Sequence, residues 1–234
     1  MKYGGDPSRM FFVPHGPDYR DLDAISEEHI REVSHRYGLI DGRNRLIYCA
    51  RMVDAKRPDL LIDAFARIAN ERPDWDLVMV GDGILKAEME SRVPEALRDR
   101  VLWLGFIDDP LEVFSLYRAS DVFVLPSSFE PWAAVVPEAA GAGCAIVSSD
   151  VVGASGDLVR DGLNGFRFRS GDLEDLAAKL LDVTAAGETQ RYRDGTISVI
   201  KEWKVSGDPV GNVRRAMVQS DLLEDASIPR EARW

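Results

Sequence analysis

The 234-residue chain is poor in the residues that hold metals or staple small secreted folds, with two cysteines and three histidines. Cys49 and Cys144 are flanked by apolar or small residues and have no ligand partner at useful spacing, so they are expected to be buried free thiols of a reducing compartment. His15, His29 and His35 stand apart, without the spacing of a zinc site, and no metal site is expected. A membrane span is lacking as well: the longest nearly uncharged run, Pro131 to Val147, is broken by Pro137, Glu138, Gly141 and Gly143. The opening MKYGGDPSRMFFVPHG lacks the basic-then-apolar order of a signal peptide, so a cytoplasmic location is expected. Positive charge is also scarce. With 29 Lys and Arg against 40 Asp and Glu the net charge is -11, which excludes a broad grip on nucleic acid and leaves any anionic ligand to a local basic cluster.

What is present fits a globular α/β protein, with 45% hydrophobic and 29% charged residues and neither internal repeats nor low-complexity segments. From Arg45 onward, short β-rich runs alternate with stretches of helical periodicity. The runs predict strands at Leu46 to Ala50, Leu77 to Val80, Val101 to Leu104, Val122 to Leu125 and Ala145 to Ser148. Helices are expected from Pro58 to before Pro73, and over Leu111 to Ala119, Ala133 to Ala142 and Asp172 to Val183. Such repeated βα units predict a Rossmann-like, doubly wound parallel sheet over residues 41–187. Residues 1–40 read as a connection into that domain, with a short strand at Phe11 to Val13 and a polar helix from Ser26 to Arg36. Residues 188–234 read as two helices, Gln190 to Trp203 and Val210 to Leu223, followed by an acidic tail.

In open α/β sheets the ligand crevice lies beyond the carboxyl ends of the strands. After the first predicted strand come Arg51, Lys56 and Arg57, a local set of cations suited to phosphate, or else an ordinary solvated loop at a helix start. After the second come Gly81 and Gly83 around Asp82, which permit a tight turn but lack the third glycine of an NAD fingerprint. Phe106 and Ile107 follow the third strand. The fourth leads into PSSFEPWAAVVPEAAGAG, where Glu130 and Glu138 have seven residues between them and Glu138 lies inside an otherwise apolar stretch. One account makes Ser127 and Glu130 a capping box and turns Glu138 to solvent. The other starts a helix near Ala133, aims its amides at a diphosphate, and lets Glu130 accept from sugar hydroxyls and Glu138 from the vicinal diol of a ribose. Two acid-x-acid patterns, Asp21-Leu22-Asp23 and Asp74-Trp75-Asp76, are read as solvated acids.

These segments together resemble the retaining glycosyltransferases of family 4, which have the two-domain GT-B architecture. ARMVDAKRPDLLIDAFARI resembles that family's Gly-Arg-Leu and Lys-Gly opening, VMVGDG its second strand and turn, and FEPWAAVVPEAAGAGCAIVSS its motif of spaced glutamates. VVGASGDLVRDGLNGFRF resembles the segment that follows, and VPHGPDYRDL the interdomain segment that opens the donor half. The resemblance runs from about Met10 to Leu181 with five motifs in order, and departs where Ala133 replaces the glycine usual after the first glutamate. It implies that the chain is the C-terminal, nucleotide-sugar-binding half of such an enzyme and lacks the N-terminal acceptor domain. Arg51, Lys56 and Glu130 would be catalytic. Gly81, Gly83, Phe106, Ile107, Trp132, Ala133, Ala134, Val135 and Glu138 would contact a UDP-, GDP- or ADP-sugar. No cofactor would be required, and the chain alone would be inactive as a hexosyltransferase. Two other readings stay open: a nucleotide-sugar-binding module without chemistry, and half of a sugar epimerase or phosphorylase of the same fold.

Overall fold

Six runs rich in Val, Ile, Leu and aromatic residues pair in parallel to form one sheet: β1 (Asn44–Cys49), β2 (Trp75–Val80), β3 (Val101–Gly105), β4 (Val122–Leu125), β5 (Ala145–Ser149) and β6 (Gly165–Phe168). The computed structural model describes residues 6–220, and its contacts divide the chain into two units, Gly16–Ile200 and a smaller one made of Met1–His15 with Lys201–Trp234. In the larger unit the strand order is β3-β2-β1-β4-β5-β6. The chain leaves β1 toward one edge and, after β3, returns to the other side of β1, so the order reverses between β1 and β4. Every residue of β2, β4 and β5 is buried, which is why these strands read as continuous apolar runs rather than alternating ones.

Helices cover both faces. α3 (Pro58–Ile68) packs on α4 (Lys86–Arg92) and α8 (Leu173–Val183). On the other side α5 (Pro110–Arg118) packs on α1 (Tyr19–Asp23), α2 (Glu27–Arg36) and α6 (Val135–Gly141), and α6 packs on α7 (Gly153–Leu158). Local chemistry sets their starts. Ser26 accepts from the His29 amide, Asp109 from Leu111 and Asp172 from Asp175, while Pro58 occupies the first turn of α3. The buried face of α3 holds Leu61, Phe65 and Ile68, each contributing about 1.5–3 kcal/mol by burial. α9 (Glu188–Ser206) and α10 (Pro209–Gln219) follow. The remainder of the helix expected from Val210 to Leu223, and the acidic tail, lie outside the described residues.

Several expectations need correction. Phe11 to Val13 form no strand; in the smaller unit the Phe12 carbonyl accepts from the Asn212 side chain at 2.6 Å, and its ring stands edge-on to Trp203 at 5.3 Å. An isolated run has no ladder to join, so a side-chain amide takes its carbonyl instead. Asp76 is not a solvated acid: it lies within β2, 3% exposed, with both oxygens held by the Arg43 guanidinium at 2.7 Å. The connecting region is less polar than it reads, since Leu22, Ile30 and Val33 are buried. The sequence reading also missed β6, a four-residue edge strand whose Arg167 is exposed.

β6 depends on Gly165. With φ at 142°, a Cβ there would overlap the carbonyl oxygen of Ile146 on β5, whereas Gly187, also at positive φ, 79°, has open space around it. Gly165→Ala is expected to destabilise the chain by about 2–4 kcal/mol, against about 1 kcal/mol for Gly187→Ala, as measured by urea unfolding. Equal losses would show that backbone conformation alone, and not the close approach, sets the cost.

Candidate functional site

The strand order reverses between β1 and β4, and in an open α/β sheet the crevice is expected at the carboxyl ends of the strands that flank such a reversal. The loops that border it are joined to one another through their backbones. Met52 donates to the Asp82 carbonyl at 2.8 Å, Leu85 to Met52 at 3.1 Å and Gly81 to Gly105 at 2.7 Å, which links the ends of β1, β2 and β3. Ser128 donates to Ala55 at 2.9 Å, Gly153 to Glu130 at 3.1 Å and Ala154 to Trp132 at 2.8 Å, which links the ends of β1, β4 and β5. Gly81 and Gly83 make the first set possible: both have positive φ, and a Cβ on either would overlap the carbonyl oxygen of Ala50 or Met52. Their absent side chains thus serve the fold of the site directly, by letting one loop lie on the next.

Across this crevice Lys56, at the end of a single 3-10 turn after β1, forms an ion pair with Glu130, in the loop after β4. Both side chains are largely buried, 20% and 10% exposed, so neither charge is stable there alone and each is held by the other. The structure thereby joins two of the three expected catalytic residues. Arg51, the third, is exposed beyond β1, with its backbone carbonyl accepting from the Tyr48 hydroxyl at 3.0 Å. Arg57 does not join the cation cluster: its φ is 49° and its guanidinium grips Asp59 at 2.8–3.2 Å. The capping-box account fails, because the Ser127 hydroxyl is buried without a partner and no helix starts within three residues of it.

Ala133 explains why the helix starts later than expected. Its φ is 74°, in the left-handed region, which ends the loop and lets α6 begin only at Val135. That region is open to glycine and costs an alanine about 1 kcal/mol, so the one departure from the motif falls where a side chain is least welcome. Ala133 is itself buried, Trp132, Ala134 and Val135 are half-buried, and the first turn of α6 leaves amides without helical partners.

One turn into α6, Glu138 is half-buried and does not simply face solvent. Its Oε2 lies 3.5 Å from the hydroxyl of the fully buried Tyr117 on α5. Burial raises the Glu138 carboxyl to about 7, an effect the Tyr117 hydrogen bond opposes. Cys49, the last residue of β1, adjoins this pair; it is half-buried rather than buried, and burial of its sulfur pushes the thiol up to about 11. Cys144 is buried, as expected, and both thiols are free.

The rim is apolar. Phe106 is 72% exposed, Ile84 85% and Phe129 71%, each on a different loop at this end of the sheet, while Ile107 is half-buried. Two residues near the expected set escaped the sequence reading. Lys86 begins α4, and its Nζ lies 3.9 Å from where a Cβ on Gly105 would sit. Tyr117 sits in a crossover helix twenty-one residues from Glu138, and no local pattern separates it from an ordinary core tyrosine. Among the described residues, no group of three His, Cys, Asp or Glu is placed to hold a metal ion, and no helix is long and apolar enough to cross a membrane.

Residues 43–185 match the family described as glycosyl transferases group 1. The chain is 32% identical over 195 residues to the D-inositol 3-phosphate glycosyltransferase of Geodermatophilus obscurus, an alignment that covers 80% of this chain and 42% of that protein. It is 31% identical over 198 residues to the alpha-D-kanosaminyltransferase of Streptomyces kanamyceticus, covering 82% and 50%. The chain therefore spans half or less of the length of these curated relatives. In fold it is similar to Anabaena Alr3699/HepE in complex with UDP-glucose, with a TM-score of 0.73 at 23% identity, covering 95% of this chain and 60% of that one. The C-terminal domain of the group 1 protein LpcC from Francisella tularensis, at a TM-score of 0.64 and 22% identity, is covered over 97% of its length.

Two expectations concern the site before any ligand is added. Between the ordinary carboxyl range and about 7, the unfolded chain has lost the Glu138 proton while the folded chain keeps it, so stability should fall as pH rises from about 4.5 to 7 and level off beyond. Glu138→Gln should remove up to about 2–3 kcal/mol of that decline, read from urea unfolding at pH 5 and pH 8; an unchanged slope would place the titration elsewhere. Ala133→Gly should raise stability by about 0.5–1 kcal/mol as left-handed strain is relieved, and a loss would mean that the methyl packs better than it strains.

Proposed function

Because the chain belongs to the glycosyl transferases of group 1, we propose that it is the donor half of a retaining enzyme of family 4, which binds a nucleoside diphosphate sugar between β1 and β4 and transfers the sugar to an acceptor hydroxyl once an acceptor domain is supplied. The observation that carries the reading is the Lys56–Glu130 ion pair, set across the switch point of the sheet by residues that follow its two central strands. A cation and a carboxylate placed there suit the two ends of a sugar diphosphate.

On this reading the pair opens when donor binds. Lys56 turns to the diphosphate and, with Arg51 and the amides at the start of α6, offsets the charge that grows on the departing phosphate oxygen. Glu130, released, accepts hydrogen bonds from the sugar hydroxyls. Glu138 accepts from the ribose diol, Gly81 and Gly83 let the loop backbone approach, and Phe106 and Ile107 border the base. The bond from the anomeric carbon to the phosphate oxygen breaks, its electron pair going to the phosphate. The acceptor oxygen bonds to the same face of the sugar, and its proton passes to the departing phosphate. No side chain need act as a nucleophile, and the basic residues supply the countercharge without a metal. The two free thiols fit a cytoplasmic setting. The bound UDP-glucose of the Anabaena neighbour supports a nucleotide sugar as ligand.

Calorimetric titration of the full chain with UDP-, GDP- and ADP-sugars should find one that binds, with affinity falling about ten-fold or more in Lys56→Ala and in Glu138→Ala. Unchanged affinity in both variants would sink the site. Sugar transfer by the chain alone should be negligible, and robust transfer would refute the need for an acceptor domain.

A further inference from the structure

Glu138 sits near the end of a short buried hydrogen-bonding chain that its proposed role does not by itself require. Tyr117 is 0% exposed, its ring stands edge-on to Phe123 at 5.8 Å, and its hydroxyl lies 3.5 Å from Glu138 Oε2 and interacts with Cys49 as well. The carboxylate is held on α6 and the phenol on α5, so the geometry is set by helix packing and not by sequence proximity. A carboxylate that is to meet two adjacent hydroxyls has to present its oxygens in one orientation, and a half-buried glutamate has three side-chain torsions through which to lose it. A phenol fixed in the core can hold one oxygen from behind and leave the other accessible.

We propose that Tyr117 is a positioning residue for nucleotide recognition: its hydroxyl donates to Glu138, orients that carboxylate toward the ribose and favours the ionised form that accepts from the diol. The proposal rests on Glu138 being the ribose acceptor. At 3.5 Å the hydrogen bond is long, and on this proposal it should shorten as the carboxylate becomes charged. Tyr117 from α5 and Cys49 from the end of β1 interact with Glu138 electrostatically, and Tyr19 of α1 lies against Gly141 of α6; β5 brings only serines to α6, and the charged side chains of α7 and α1, Asp157, Arg20, Asp21 and Asp23, are exposed.

The test compares UDP, GDP and ADP with their 2′-deoxy forms on the full chain across pH 5 to 9. Wild type is expected to prefer the ribonucleotide, with a preference that grows as Glu138 ionises. In Tyr117→Phe the preference should fall about five-fold and its pH midpoint should move up by about half a unit, because a donor to the charged form has gone. If the phenylalanine variant fails to fold, 3-fluorotyrosine at position 117, a stronger donor of nearly the same shape, should move the midpoint down. Glu138→Gln separates the two levels. If it leaves the ribose preference intact, the ribose assignment falls and this proposal with it. If it abolishes the preference while Tyr117→Phe changes neither preference nor midpoint, the assignment stands and the positioning role is overturned.

Discussion

β1 carries the ladder of β2 along its whole length on one side and that of β4 on the other, and the site depends on this arrangement. Because parallel strands cannot be joined by tight turns, the chain must cross over a face after each one, and after β3 it returns past β1 to lay down β4. The loops leaving β1 and β4 therefore diverge to opposite faces and leave a gap between them. Lys56 and Glu130, seventy-four residues apart in the chain, meet across that gap. Neither charge could be buried at low cost without the other, so the ion pair is a product of the topology.

The same end of the sheet is kept rigid by backbone rather than by side chains. Hydrogen bonds from Met52 to Asp82, Gly81 to Gly105, Ser128 to Ala55 and Gly153 to Glu130 tie neighbouring loops together, and glycines stand where one main chain crosses closest to another. Loops tied in this way fix where Lys56 and Glu130 stand relative to each other. Ala133 is the exception, since a left-handed alanine stores strain at the entrance to α6.

Much of this was legible in the residues. Five of the six strands announce themselves as short β-rich runs, most plainly where a strand is covered on both faces, as Val122 to Leu125 is. β6 was missed because an edge strand of four residues with an exposed arginine carries no such signal. Phe11 to Val13 misled for the opposite reason, since a run suited to a strand forms one only where a partner edge is free. The candidate site residues lie at strand ends because that is where an open sheet collects its loops, but which of them pair with one another is not visible in the sequence. Arg57 reads as part of a phosphate cluster and is instead committed to Asp59, two residues away.

The sequence by itself determined the layered α/β class, the strand ends at which candidate residues gather, and the identity of Glu138 as a charge set in an otherwise apolar stretch. These follow from local composition and period, which a linear chain displays directly. Tertiary structure alone decided who meets whom: Lys56 with Glu130, Asp76 with Arg43, and Tyr117 with Glu138. Those partnerships join residues twenty-one to seventy-four positions apart, and they arise from the order of strands and the packing of helices. Burial then supplies the physical consequence, because a charge removed from water must find a partner or give up its ionisation.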